Sequence, residues 1–150
     1  MSELPAANVF IDSITFLYTL DRNEPAKGQI ALDWPVELRR AGTGVTNLQA
    51  LNEVVGVATR KADRFSSDVF ADVDAFAMFG MSPLTLDATM TARELFRRYR
   101  YSWWDCILLA SAIELGCTHF LSEDLQDGQR IVAVDGRGLT IVDPFAHSPD

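Results

Sequence analysis

The chain has 150 residues, about one domain's worth, with 48% hydrophobic and 23% charged residues, the mixture of a globular protein that can bury a core without staples. Two cysteines, Cys106 and Cys117, exclude a disulfide framework, and no apolar run reaches the roughly eighteen residues of a membrane span, so a cytoplasmic protein with no membrane partner is expected. Thirteen Lys and Arg against 21 Asp and Glu give a net charge of −8, which disfavours diffuse electrostatic binding of nucleic acid or anionic lipid; a polyanion must use local arginine clusters or a metal held by the surplus carboxylates.

The first element is Val9-Phe10-Ile11, too short for a helix and apolar enough for a buried strand, ended by Asp12. Residues 13–20 read as a helix with Phe16, Leu17 and Leu20 on one side. Residues 24–40 form an amphipathic segment carrying Ile30, Leu32, Val36 and Leu38. Pro35 is expected to kink or restart it, because proline removes an amide donor and clashes one turn back. Ala41-Gly42-Thr43-Gly44 is a break, and Val45 ends a very short strand. Thr46 is the expected N-cap of the next helix, with Gln49 as its capping-box partner; over 47–61, Leu48, Leu51, Val55 and Ala58 share a face.

Helices are expected over 66–79 and 87–100, separated by a break at 80–83 with a brief strand around 82–85. Residues 102–115 carry clear helix punctuation: Ser102 as cap, Asp105 in the first turn, an apolar body over 107–113 and Gly116 as the stop. Strands at 118–121 and 139–142 end at Ser122-Glu123-Asp124 and at Asp143-Pro144. Alternating strands and helices predict one domain over 1–150, with its core at about 8–145, folded as a three-layer α/β/α sandwich around a mostly parallel sheet.

In open α/β sheets the functional crevice lies outside the carboxyl ends of the strands. Asp12 ends the first strand and Asp124 follows the strand at 118–121. A right-handed crossover helix starts at the edge where its strand finishes, which brings Glu53 to the same edge. Asp105 follows a helix rather than a strand, so pattern alone leaves its edge open. Clustered carboxylates need a counter-charge, and hard Mg²⁺ suits an all-oxygen donor set. Such an ion polarises a phosphodiester and activates water, the chemistry of many nucleases. Each acid also has an ordinary reading. Asp12 and Asp105 fit helix caps, Glu53 a solvated helix face, and Asp124 a solvated acidic loop shared with Glu123 and Asp127.

Other chemistries lack their residues. His119, His147 and two distant cysteines give no zinc spacing, and neither a G-x-S-x-G elbow nor a phosphate-binding glycine loop occurs. Trp103 and Trp104 read as packing anchors at a helix start, one of which could face a nucleobase.

Order and spacing then match a known pattern: Val9-Phe10-Ile11-Asp12-Ser13, Leu51-Asn52-Glu53-Val54, Ser102-Trp103-Trp104-Asp105 leading into Leu109-Ala110-Ser111-Ala112, and Gly116-Cys117. The pattern continues through Leu121-Ser122-Glu123-Asp124-Leu125-Gln126-Asp127-Gly128 to Ile141-Val142-Asp143-Pro144-Phe145. The chain resembles the PIN-domain family, and within it the VapC-type ribonuclease toxins of type II toxin–antitoxin pairs. That resemblance implies that Asp12, Glu53, Asp105 and Asp124 are the catalytic and metal-binding set, with Glu123 and Asp127 beside the fourth acid and open to sharing the ion. Ser122 and Ser13 would orient the site. It further implies Mg²⁺- or Mn²⁺-dependent RNA hydrolysis, homodimerisation, and neutralisation by a small VapB-like antitoxin that also binds DNA. The family usually carries asparagine two residues after the first aspartate, where this chain has Ile14. A catalytically silent PIN fold that binds RNA or protein is therefore the alternative, and a receiver-like phospho-acceptor is disfavoured because neither Lys27 nor Lys61 follows a strand.

Overall fold

The computed structural model describes residues 7–65 and 68–150. Its strands are β1 (Val9–Ile11), β2 (Gly44–Val45), β3 (His119–Leu121), β4 (Arg130–Val132) and β5 (Gly138–Val142), joined in one sheet of order β2-β1-β3-β5-β4. β2, β1, β3 and β5 run parallel, and β4 closes the edge antiparallel to β5. The helices are α1 (Ser13–Leu20), α2 (Pro25–Ala41), α3 (Leu48–Arg60), α4 (Val69–Phe76), α5 (Leu86–Tyr99) and α6 (Trp103–Glu114), with a 3-10 turn at Ala77–Phe79. Among the described residues, no helix is long and apolar enough to cross a membrane.

Alternation along the short strands builds two cores. Phe10, Phe120, Leu139 and Ile141 face α5 and α6, whose Leu95, Ile107 and Leu109 complete the first core. Val9, Ile11 and Leu121 face the opposite way, onto Phe16, Leu17, Trp34, Leu38, Leu51 and Val54 of α1, α2 and α3. Strands covered on both faces need apolar residues at every position, which is why β1 reads as a continuous apolar run. Phe10 and Phe120 are register partners, and their rings stack with centroids 5.4 Å apart. The result is the expected three-layer α/β/α sandwich with a mostly parallel sheet.

Several local expectations change. α2 runs unbroken through Pro35: Ala31, Trp34, Pro35 and Leu38 form its buried side, and their contacts outweigh the missing amide bond. Asn47, not Thr46, caps α3, accepting from the Ala50 amide at 3.1 Å. The Thr46 hydroxyl instead donates to the Ile11 carbonyl at 3.0 Å, tying the end of β2 to the end of β1. No strand forms at 82–85. The 79–82 stretch instead supplies acceptors to the chain entering α3, since the Thr46 amide donates to Phe79 O and the Leu48 amide to Ser82 O. Gly80 permits this approach: its φ is 144°, and a Cβ there would lie 2.5 Å from the Thr46 carbonyl oxygen. The expected helix start at Ser66 lies outside the described residues, and the described helix begins at Val69. β4 was not foreseen; its signal is the Asp135-Gly136 turn, where the Ala133 amide donates to Arg137 O at 2.8 Å.

Candidate active site

Register places the site. Ile11 pairs with Leu121 in parallel strands, so Asp12 and the 122–124 loop leave the sheet side by side. The Ser122 amide donates to Val142 O at 2.9 Å, and the Ser122 hydroxyl accepts from the Leu125 amide at 3.3 Å, shaping the turn that carries Asp124. α6 runs into β3 through a short link at Gly116, where φ is 79°. The helix is therefore antiparallel to the strands, and its first turn, with Asp105, lies over the edge where they end. This settles the edge that pattern alone left open.

Asp12 is 4% exposed and caps α1, its Oδ1 accepting from the Thr15 amide at 3.0 Å and the Thr15 hydroxyl at 2.6 Å. Among the described residues, its Oδ2 carries no hydrogen bond. Burial pushes this carboxyl up to about 7; the Thr15 bonds work against that, and the charges of Asp124 and Asp105 reinforce it. Glu53 accepts from Ser13 Oγ at 3.0 Å and from Gln49 Nε2 at 3.1 Å. Its pKa is raised, by burial first, with those two bonds opposing and the Asp105 charge adding. Asp105 accepts from Ser102 Oγ at 2.9 Å and is likewise raised by burial, with the Asp124 charge adding against the Ser102 bond. Asp105 thus interacts with each of the other three acids. Asp124 is exposed and makes no hydrogen bond among the described residues.

Glu123 and Asp127 are engaged elsewhere. Glu123 accepts from Tyr18 OH and pairs with Lys27 Nζ, both at 2.6 Å. Burial alone would raise Glu123, but the Lys27 and Tyr18 hydrogen bonds outweigh it and hold the carboxyl below the usual range. Asp127 accepts from the Asp143 amide at 2.9 Å and meets His147 Nε2 at 2.8 Å. Cys106 and Cys117 are buried thiols, pushed up to about 11 and about 12, and supply no nucleophile. Ile14 packs against the second core and offers no polar group.

Sequence reasoning gave no site role to Thr15, Gln49, Tyr18 or Lys27, reading Gln49 as a capping-box partner where the structure has it donate to Glu53. The Asp12-Ser13-Ile14-Thr15 spacing is a readable cap signal for the first. Lys27 reaches Glu123 across 96 positions, and nothing local announces it.

A divalent cation fits the donor set in chemistry. The perturbed acids are all hard oxygen donors, and no lysine or arginine contributes to the shifts of Asp12, Glu53 or Asp105. Among the described residues, no three candidate side chains converge at ligating distance on one point. The four acids share an electrostatic field without yet forming a closed ligand shell.

The chain belongs to the PIN-domain family, whose model matches residues 9–132. No curated protein matches it significantly. Among solved structures it is similar in fold to VapC20 of Mycobacterium tuberculosis, a sarcin-ricin-loop-cleaving toxin, with TM-score 0.56 and 19% identity over 75% of this chain and 87% of that one. It is also similar to a toxin–antitoxin complex from Klebsiella pneumoniae, with TM-score 0.54 and 16% identity over 91% and 98% of the two chains. A third similar structure is VapBC2 of Rickettsia felis bound to a promoter DNA fragment, with TM-score 0.56 and 13% identity over 79% and 88%.

Proposed function

We propose that this chain is a divalent-metal-dependent endoribonuclease, acting as the toxin of a toxin–antitoxin pair and hydrolysing RNA at the crevice of Asp12, Glu53, Asp105 and Asp124. The reading rests on one observation. Four acids from different parts of the chain lie within electrostatic reach of one another, Asp12 and Asp105 feeling the Asp124 charge and Glu53 that of Asp105, and among the described residues no lysine or arginine contributes to the raised carboxyls. Mg²⁺ or Mn²⁺, when bound there, neutralises the acids and polarises the phosphodiester. Among the described residues, Asp12 and Asp105 each keep one oxygen without a hydrogen bond and would be the principal holders, with Asp124 completing the set. Glu53, fixed by Ser13 and Gln49 and raised by burial, is the group placed to take a proton from water. Ser122 and Ser13 orient the acids rather than react.

Single-domain organisation, a homodimer, a cytoplasmic site of action and a VapB-like antitoxin belong to the same proposal. The toxin–antitoxin assemblies among its fold relatives support the antitoxin, and the net charge of −8 suits a basic partner segment. The test is RNA cleavage by purified protein with Mg²⁺ or Mn²⁺ and with chelator. Asp105→Asn is expected to abolish cleavage with unchanged circular dichroism. Cleavage that persists in both chelator and the variant overturns the carboxylate mechanism. The apolar setting of Ile14 favours a second reading, a silent PIN fold that binds without cutting; RNA binding with no cleavage under either ion would establish it.

A further inference from the structure

Trp104 is 60% exposed in the first turn of α6, immediately before Asp105. Trp103 beside it turns inward and meets Phe96 edge-on, with ring centroids 6.2 Å apart. Packing accounts for one indole of the pair and leaves the other in solvent. Helical side chains lean toward the N-terminus of their helix. Trp104 thus leans toward the N-terminal end of α6, one position from Asp105, which interacts electrostatically with Asp12 and Asp124.

Just before the Ser102 cap, Arg100 has φ 61°, the only positive φ among the described non-glycine residues. Glycine takes this left-handed helix-end position without strain. The Arg100 amide donates to Phe96 O at 3.2 Å and so closes α5, a role any backbone fills, while the Arg100 side chain makes no hydrogen bond or ion pair among the described residues and leaves its guanidinium two positions before the Ser102 cap.

We propose that Trp104 is a stacking platform for one nucleobase of the RNA strand entering the acidic crevice, with Arg100 contacting a neighbouring phosphate. This rests on the nuclease reading above. A chain of net charge −8 whose site is itself acidic gains little from diffuse attraction to RNA. An uncharged π-face and one local guanidinium bind a strand without it, and stacking tolerates any base.

The experiment is fluorescence anisotropy of a labelled short single-stranded RNA with the full chain carrying Asp105→Asn, which keeps the RNA intact. Adding Trp104→Ala is expected to weaken binding by about tenfold or more, and Trp104→Phe to retain most of it. Adding Arg100→Gly is expected to raise Tm by relieving the left-handed backbone, yet to weaken binding and reduce its salt slope by about one. In the cleaving protein, Trp104→Ala raises KM and leaves kcat near its starting value. Undiminished binding by Trp104→Ala overturns the stacking role while the nuclease reading stands, and undiminished binding by Arg100→Gly overturns the phosphate contact. If RNA binds through Trp104 but no ion supports cleavage, the nuclease reading fails and the platform stands. A chain that binds no RNA overturns both.

Discussion

The Ser13 hydroxyl donates to Glu53 Oε1 at 3.0 Å, joining the first residue of α1 to the second turn of α3 across forty positions of chain. Asp12 caps the same helix that Ser13 begins, so this bond fixes Glu53 relative to Asp12, two acids delivered by different crossovers. Ser13→Ala leaves Glu53 held by Gln49 alone. It is expected to cost about 1 kcal/mol of stability, the net worth of one hydrogen bond. Cleavage should fall about tenfold in kcat, equivalent to about 1.4 kcal/mol of lost positioning. Steady-state kinetics beside urea denaturation checks both, and an unchanged kcat removes Ser13 from the site.

The Asp12 carboxyl, pushed up to about 7 by burial, has a reference value of 3.8. Between those values the folded chain holds a proton that the unfolded chain has released. Stability of the metal-free protein therefore falls as pH rises through this window, by on the order of 4 kcal/mol, and is free of the penalty below it. Asp21 has the opposite sign. The Arg64 hydrogen bond is the largest influence on it and holds it low, so its contribution is lost in acid. Denaturant titrations across pH, with and without Asp12→Asn, isolate the first effect. The variant should show a flatter slope between pH 4 and 7. Equal slopes would mean that Asp12 ionises normally in the folded chain.

The parts of this molecule that were legible in its sequence are those written in local pattern. The apolar triplet before Asp12, the punctuation of α6 and the turn glycines give elements and their order, and the crossover rule carries Asp12, Glu53 and Asp124 to one edge. Cap identity at α3 was ambiguous because Thr46 and Asn47 both accept amide bonds, and only the link from Thr46 to Ile11 O decides between them. Pro35 misled because helix propensity is a local cost that tertiary burial overrides. Neither the pairing of Glu123 with Lys27 nor that of Asp127 with His147 is visible without coordinates, so the sequence left three acids competing for one position.

Trp34 Nε1 donates to Pro144 O at 2.9 Å in a buried setting, fastening the C-terminal segment to α2. The next residue, Phe145, meets Tyr18 edge-on at 5.1 Å and lies 5.0 Å from Lys27 Nζ, so the same anchor steadies the Tyr18–Lys27–Glu123 cluster beside Asp124. Trp34→Phe leaves the Pro144 carbonyl without its donor and removes ring volume. A loss of about 2–4 kcal/mol is expected. Hydrogen exchange should quicken over 143–147 before the sheet itself opens, and uniform protection would place the anchor elsewhere.

Asp105 interacts with all three other acids, so its charge is the one whose removal relieves the cluster most. Asp105→Asn keeps the side-chain shape and an oxygen to accept from Ser102, while the backbone amide still donates to Ser102 Oγ at 3.1 Å. With the helix cap preserved, loss of like-charge repulsion should raise Tm in metal-free buffer by roughly 2–4 °C, the shift that about 1 kcal/mol produces in a chain of this size. Asp12→Ala should do the reverse, because it removes the acceptor of both Thr15 bonds along with the charge. Mg²⁺ should stabilise the wild-type chain and leave Asp105→Asn nearly unmoved, since binding to the folded state alone raises stability only where the ligand site survives. Thermal melts with chelator and with excess Mg²⁺ decide the matter. A lower metal-free Tm for Asp105→Asn would mean that the carboxylate serves the Ser102 cap rather than an ion.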